Sequence, residues 1–244
     1  MPEPNQASTR NSSLEGLARR IVDCERCPRL RDHCARIART RRRAFQNEEY
    51  WGRPVPGFGD AQARLFIIGL APGAHGANRT GRVFTGDSSG EWLYAALHEA
   101  GFSNGAVSQH RNDKLQLQDA WITCAARCAP PGNRPSVEEL AACRPYLVEE
   151  LQLFADVRVI LALGKIAHDS VLRAGEEIEL LLFEKRPQFA HGAEAYTRDE
   201  RIVLLSSYHP SRQNTQTGRL TRTMFQERFT RAREILNAHS AMVR

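Results

Sequence analysis

Four short apolar runs recur along the chain with helix-forming stretches between them: Arg64-Leu-Phe-Ile-Ile-Gly69, Trp-Ile-Thr-Cys-Ala-Ala at 121–126, Val157-Arg-Val-Ile-Leu-Ala-Leu163 and Ile202-Val-Leu-Leu-Ser206. Runs that are continuously apolar rather than alternating belong to strands buried on both faces, and strands alternating with helices imply a mostly parallel sheet covered on both sides. The helical stretches are equally legible. Trp92, Leu93, Ala96, Leu97 and Ala100 repeat with helical spacing until Gly101, and Ser136-Val-Glu-Glu139 has the form of a capping box opening a helix through about Phe154. Further helices are expected at about Leu14 to Asp23 with Ser13 as a cap, at Gly164 to Ala174 and at about Leu220 to His239, where Phe225, Phe229, Ala232 and Leu236 share one face.

In such folds ligands bind where loops leave the carboxyl ends of the strands. Two loops here are glycine-rich and polar: residues 69–87, from Gly69-Leu-Ala-Pro-Gly-Ala-His to Gly-Asp87, and residues 209–221, opening on His209-Pro-Ser-Arg. With residues 128–133 they should open along one edge of the sheet and meet there. The length of 244 residues with 41% hydrophobic content suits one well-buried core. We expect a disordered tail over residues 1–12 and a single domain over 13–244. No apolar run approaches the roughly 20 residues of a membrane span, and the first residues lack a secretory signal, so a cytoplasmic protein is expected. The net charge of +6 is carried almost wholly by arginine, with lysine only at positions 114, 165 and 185, which leans toward a polyanionic partner. The cluster Arg39, Arg41, Arg42, Arg43 reads either as a phosphate-binding patch or as a solvated face.

Cysteines stand at 24, 27, 34, 124, 128 and 143. A Cys-x2-Cys pair without a surrounding βαβ pattern points to metal rather than to thioredoxin-like chemistry. Cys128 and Cys143 are the candidates to complete a four-thiolate site for zinc or an iron–sulfur cluster, which spacing alone does not separate. Cys124 lies in an apolar strand and reads as a small buried hydrophobe, and Cys34 has no assigned role.

These residues resemble the uracil-DNA glycosylase superfamily, and within it family 5, the iron–sulfur type of bacteria and archaea. The resemblance rests on the whole of 69–87, on Arg-Cys-Ala-Pro-Pro-Gly-Asn-Arg-Pro at 127–135, on the His-Pro-Ser passage from 209 and on the four cysteines, and spans about residues 20–235. It implies a three-layer αβα sandwich with a central four-stranded parallel sheet, and a [4Fe-4S] cluster on Cys24, Cys27, Cys128 and Cys143. It also implies removal of uracil and other deaminated bases, including hypoxanthine and xanthine, from double-stranded DNA. Leu70 stands where the sister family 4 has glutamate, so a water-activating carboxylate must come from elsewhere.

Such chemistry extrudes the base from the stack and stabilises it as it leaves the sugar. We expect Phe84 to floor the base pocket, unless it is only a core anchor, and His209 to donate to the base carbonyl. Asp87 is expected to orient water or stabilise the sugar cation, with helix capping as the competing role. Asn133 should read the base edge, or else hold its turn together, and the peptides at Gly69, Ala71 and Gly73 should approach the base closely. His75 and Asn78 are weaker candidates for water or phosphate. Arg212, Gln213 or Asn214 would fill the gap left in the duplex, with Ser211 and Arg219 on phosphates. The motif loops contain no lysine, so hydrolysis without lyase activity is expected, in a monomer associated with the nucleoid. A non-catalytic iron–sulfur or zinc nucleic-acid-binding protein is the competing reading.

Overall fold

The computed structural model describes residues 6–242. In chain order it contains α1 (Gln6–Val22), α2 (Pro28–Thr40), β1 (Phe58–Gly59), β2 (Leu65–Gly69), α3 (Ala77–Thr80), α4 (Ser88–Glu99), β3 (Ala120–Cys124) and α5 (Val137–Leu153). There follow β4 (Val159–Leu163), α6 (Lys165–Glu177), β5 (Glu194–Tyr196), β6 (Val203–Ser207), α7 (Arg212–Gln216) and α8 (Arg222–Met242).

The four strands read from the apolar runs form the parallel centre of the sheet, and every residue in them is buried. The sheet nevertheless has six strands, in the order β1-β3-β2-β4-β6-β5, because the short β1 and β5 add antiparallel edges. Successive side chains leave a strand on opposite faces, and the layers follow from this. Leu65 and Ile67 of β2 join a cluster with Leu93 and Leu97 of α4 and Phe225 and Phe229 of α8. Phe66 and Ile68 face the other way, toward Leu147 and Leu151 of α5 and Val171 and Leu172 of α6. The αβα sandwich is therefore a consequence of alternation in four strands.

Capping fixes where two of these helices begin. The Ser136 hydroxyl accepts from the Glu139 backbone N–H while the Glu139 carboxylate accepts from the Ser136 backbone N–H, at 3.2 and 2.7 Å, the reciprocal pair its sequence implies. Arg127, on the loop after β3, pairs with Glu150 of α5 at 2.5 Å, and both side chains are only 1% exposed. Cys124 is buried, as its strand implied, and burial pushes its thiol up to about 12.

The N-terminal region differs from expectation. Helix α1 starts at Gln6, so residues 6–12 of the stretch expected to be disordered are helical, while residues 1–5 lie outside the described residues. Leu14, Leu17 and Ile21 bury one stripe of it, and Leu17 and Ile21 pack on Tyr146 of α5. Ser13 does not cap this helix: it sits within it, its hydroxyl donating to the Thr9 carbonyl at 3.0 Å. Helix α2 was not foreseen. It starts with Pro28 in the first turn, where a missing N–H costs nothing, and buries Leu30 and Cys34 one turn apart.

Candidate functional site

The carboxyl ends of β2, β4 and β6 open into a cavity of about 720 Å³. Its walls come from Leu70, Ala71 and Gly73, from Phe84 and Asp87 to Ser89, from Gly132 to Arg134, from Leu163 to Ala167, and from His209 and Ser211 to Gln213. The three loops singled out by sequence thus converge as parallel-sheet geometry requires. The segment after β4 was missed. Its loop is the single residue Gly164, too short to show a polar motif, although the argument from strand ends applies to it equally.

Phe84 adopts φ of 52°, a conformation rare for a bulky residue. Its ring lies over Gly69, where a Cβ would stand 2.5 Å from the ring edge. Only glycine at the end of β2 lets the ring reach the cavity, and the ring joins the core cluster behind it, so floor and anchor are one arrangement. Gly69→Ala should therefore displace the Phe84 ring from its place in the cavity wall, and a crystal structure of the variant with the ring unmoved would contradict that account.

His209 stacks on Phe84 with centroids 5.7 Å apart and planes 28° from parallel. Among the described residues neither ring nitrogen of His209 has a hydrogen-bond partner, so both remain available to a ligand. Burial alone pushes this imidazole down to about 4, which keeps it neutral at physiological pH.

Asp87 caps α4 by accepting from the Gly90 N–H at 3.0 Å, so the competing role foreseen for it is real. Its second oxygen turns toward the 69–76 loop, where Cβ atoms on Gly73 and Gly76 would stand 2.7 and 2.0 Å from it. Burial raises its pKa above the ordinary carboxylate range, opposed by the N–H groups of Gly90 and Ser89. A capping carboxylate that also lines the cavity is compatible with both assignments.

The remaining candidates divide. Gly69 itself supports Phe84 from behind, and Ala71 and Gly73 line the cavity. Asn133 stands exposed at the rim with φ of 56°, in a turn closed by its N–H to the Pro130 carbonyl at 3.1 Å. Arg212 and Gln213 are exposed at the mouth, where the Arg212 guanidinium donates to the Ser88 hydroxyl at 3.4 Å, and Ser211 lines the wall beside them. Asn214 instead turns inward, its amide donating to the His209 carbonyl at 2.8 Å, which holds the loop and leaves that amide no wedge role. Arg219 lies over the Tyr208 ring at 4.4 Å and does not line the cavity. Asn78 is fully buried and donates to the Cys34 and Ala74 carbonyls, out of reach of phosphate, and His75 is held by the Tyr50 hydroxyl at 3.0 Å. The motif loops hold no lysine, but one stands at the cavity from outside them: Lys165, the first residue of α6, lines it, with its ammonium 2.6 Å from Asp169 at the exposed rim.

The fold gathers Cys24 and Cys27, in the turn between α1 and α2, with Cys128 after β3 and Cys143 on α5. All are free thiols. Cys143 lies within electrostatic reach of each of the other three; burial with these neighbours pushes Cys27 up to about 11, and the adjacent Cys34 thiol together with burial pushes Cys128 upward. The Cys34 thiol, on α2, donates to the Ala129 carbonyl at 3.6 Å and packs in one cluster with Cys128. Among the described residues no set of three or more His, Cys, Asp or Glu side chains stands close enough to hold a single metal ion.

A parallel-centred αβα sandwich whose strand-end loops close on a neutral histidine, an aromatic ring and a carboxylate has an enzyme-like site where such folds bind ligands, and the comparisons give its family. The chain belongs to the uracil DNA glycosylase superfamily, whose model matches residues 56–233, and within it stands with the type-5 proteins. It is 47% identical over 226 residues to the type-5 uracil-DNA glycosylase of Mycobacterium leprae, covering 91% of this chain and 96% of that one. It is 48% identical to the type-5 uracil-DNA glycosylase of Thermus thermophilus over 91% of this chain and 97% of that one. A type-4 uracil-DNA glycosylase of Pyrobaculum aerophilum is more distant, at 31% over 81% of this chain and 83% of that one. No helix among the described residues is long and apolar enough to cross a membrane.

Proposed function

We propose that this chain removes uracil from double-stranded DNA by hydrolysing the N-glycosidic bond of an extruded nucleotide. The observation that carries this reading is His209: a neutral imidazole stacked on Phe84, facing a cavity that has room for a nucleobase, with no partner on either nitrogen among the described residues. The printed names of the type-5 relatives support it.

Extrusion costs a few kcal/mol, least where the base is already mispaired, as deaminated cytosine or adenine is. Phe84 offers the base a face. His209 donates an N–H to the carbonyl oxygen on which charge grows as the bond breaks. Being neutral, the imidazole stabilises the developing anion by donating this hydrogen bond and not by transferring a proton. Asp87, with its raised pKa, accepts a proton from the incoming water or shields the cationic sugar. The cavity has room for purines, so hypoxanthine and xanthine belong to the same substrate class. Lys165 does not turn the enzyme into a lyase: its amine is tied to Asp169, whereas a Schiff-base nucleophile needs a desolvated neutral amine. The chain acts as a monomer on the nucleoid in the cytoplasm.

The four thiols Cys24, Cys27, Cys128 and Cys143 fit a [4Fe-4S] cluster in donor chemistry. Their mutual repulsion as thiolates is what a positively charged iron core relieves. When bound, the cluster supplies a covalent tie between the α1–α2 turn, the loop after β3 and α5. Anaerobically purified protein should be brown, and colourless protein holding zinc instead would overturn the cluster assignment.

The test is chromatographic: base released from duplexes carrying uracil, hypoxanthine or xanthine, with borohydride added in parallel. Free base without a trapped covalent adduct is expected. Binding of these duplexes without release of any base would establish the non-catalytic reading instead. Asp87→Asn separates the two roles of that residue, since asparagine caps a helix as well as aspartate does. The variant should keep its thermal stability and lose excision, most severely for hypoxanthine. Full activity would confine Asp87 to capping.

A further inference from the structure

Two sets of arginines in this chain stand in contrast. Arg53, Arg64, Arg79, Arg82, Arg127 and Arg231 each meet a carboxylate, as arginines on a neutralised surface or in a core do. Arg36, Arg39, Arg41, Arg42 and Arg43, at the last turn of α2 and just beyond it, are all exposed, and among the described residues none of their side chains meets a carboxylate. Arg36 contacts only His33, at 2.8 Å, and Arg41 only the backbone carbonyls of Ala38 and Gln46. Five adjacent cations held without counter-charge repel one another, so the patch persists at some expense to stability. An anion has to offset it.

The patch is continuous with the cavity. The Arg42 backbone N–H donates to the Tyr50 hydroxyl at 3.3 Å, and that hydroxyl meets the His75 imidazole at 3.0 Å. His75 lies two residues beyond Gly73, which lines the cavity. Leu30 and Cys34 of α2 pack on Ala74 of the same loop, and Asn78 ties that loop to the Cys34 carbonyl at 3.4 Å. The α2 turn is thus fastened to one rim of the cavity, with no acidic side chain interposed at these contacts. The exposed guanidinium groups of Arg134 and of Arg212, the latter donating to the Ser88 hydroxyl, occupy other parts of the rim.

We propose that the end of α2 and the turn after it, Arg36 to Arg43, form a second phosphate-contact surface that grips duplex DNA away from the extruded nucleotide. This rests on the reading of the cavity as a nucleobase pocket. Duplex DNA presents a charge about every 1.7 Å along its axis, and a row of arginine forks matches that spacing without reading sequence. The surface contributes affinity and orientation, not chemistry.

The test is equilibrium binding of the full-length protein to an undamaged duplex of about two helical turns across a salt series. Wild type, Arg39→Ala/Arg42→Ala/Arg43→Ala and Arg212→Ala are compared. Among the described residues these arginines make no side-chain hydrogen bond or ion pair apart from the Arg212 contact to Ser88, so the substitutions orphan no buried partner. If the three arginines neutralise three phosphates, the slope of log affinity against log salt flattens by about 2.7 in the triple variant. Its deficit is then about 40-fold larger at 50 mM than at 200 mM salt. Base release at saturating enzyme stays at the wild-type rate. A triple variant with the wild-type slope overturns the inference. Because binding is read on an undamaged duplex, the slopes stand apart from catalysis: a protein that shows them yet frees no base from a uracil-containing duplex would sink the glycosylase reading alone.

Discussion

Replacing His209 with alanine should lower uracil excision by about two to three orders of magnitude while leaving affinity for the same duplex nearly unchanged. The size of the effect follows from where the donor acts. Charge reaches the base carbonyl only as the glycosidic bond breaks, so a group that stabilises it contributes to the rate and little to ground-state binding. In the free protein His209 makes no hydrogen bond that truncation would break, so folding is spared. The buried imidazole also sets a pH signature. It titrates at about 4, so the rate should show no inflection near the ordinary histidine value of 6.5. For stability the sign is equally definite. Between pH 6.5 and 4 the unfolded chain binds a proton at this residue that the folded chain refuses, so stability falls as pH drops through that window. The full contribution is roughly 3 kcal/mol, less whatever the partial exposure of the ring at the cavity wall recovers. His209→Ala should lose that part of the acid sensitivity. Wild-type excision by the alanine variant would remove His209 from the chemistry.

The second large effect concerns the support beneath the site. Arg127→Met should destabilise the protein by about 3–5 kcal/mol, because it leaves the Glu150 carboxylate buried and unpaired. For a domain of this length that is a fall in melting temperature of roughly 6–20 °C. Arg127 also donates to the Thr123 hydroxyl at the end of β3, and its carbonyl accepts from the Val55 N–H at 2.7 Å. The pair therefore fixes the loop that delivers Cys128. Arg127→Met/Glu150→Leu should recover most of the loss, since a well-packed apolar pair of similar volume replaces a buried ion pair at little net cost. A single variant melting within a degree or two of wild type, by calorimetry, would show that Glu150 finds water or another donor.

What the sequence revealed follows from how strongly each element is over-determined. The four central strands are buried on both faces, so burial imposes unbroken apolar runs. The Ser136 and Glu139 cap is a two-residue signal with one geometry. Strands β1 and β5 carry no such signal, having only two and three residues with partly exposed side chains at the sheet edges. Helix α2 hides for a different reason: arginines surround the two positions it buries, Leu30 and Cys34, so its composition reads as charge rather than as amphipathic period. The α1 segment from Gln6 to Ser12 is polar, and its helix is secured by contacts further along, at Leu14, Leu17 and Ile21. At the site, residues whose chemistry demands a glycine neighbour were legible, as Phe84 is through Gly69 and Asp87 through Gly73 and Gly76. Lys165 was not, because a one-residue loop after β4 gives no motif. Nor does sequence distinguish Arg212, exposed at the rim beside Ser88, from Asn214, two residues further on and committed to the His209 carbonyl.

The account stands on a nucleobase leaving the duplex and entering the cavity between Phe84 and His209. Its most direct test is a crystal structure with a duplex carrying 2′-fluoro-deoxyuridine, whose electron-poor sugar resists bond cleavage and holds the substrate intact. The base should lie against the Phe84 ring, with one carbonyl oxygen in hydrogen-bond range of a His209 ring nitrogen. A duplex bound with that uracil still stacked, or extruded toward another surface, would contradict it.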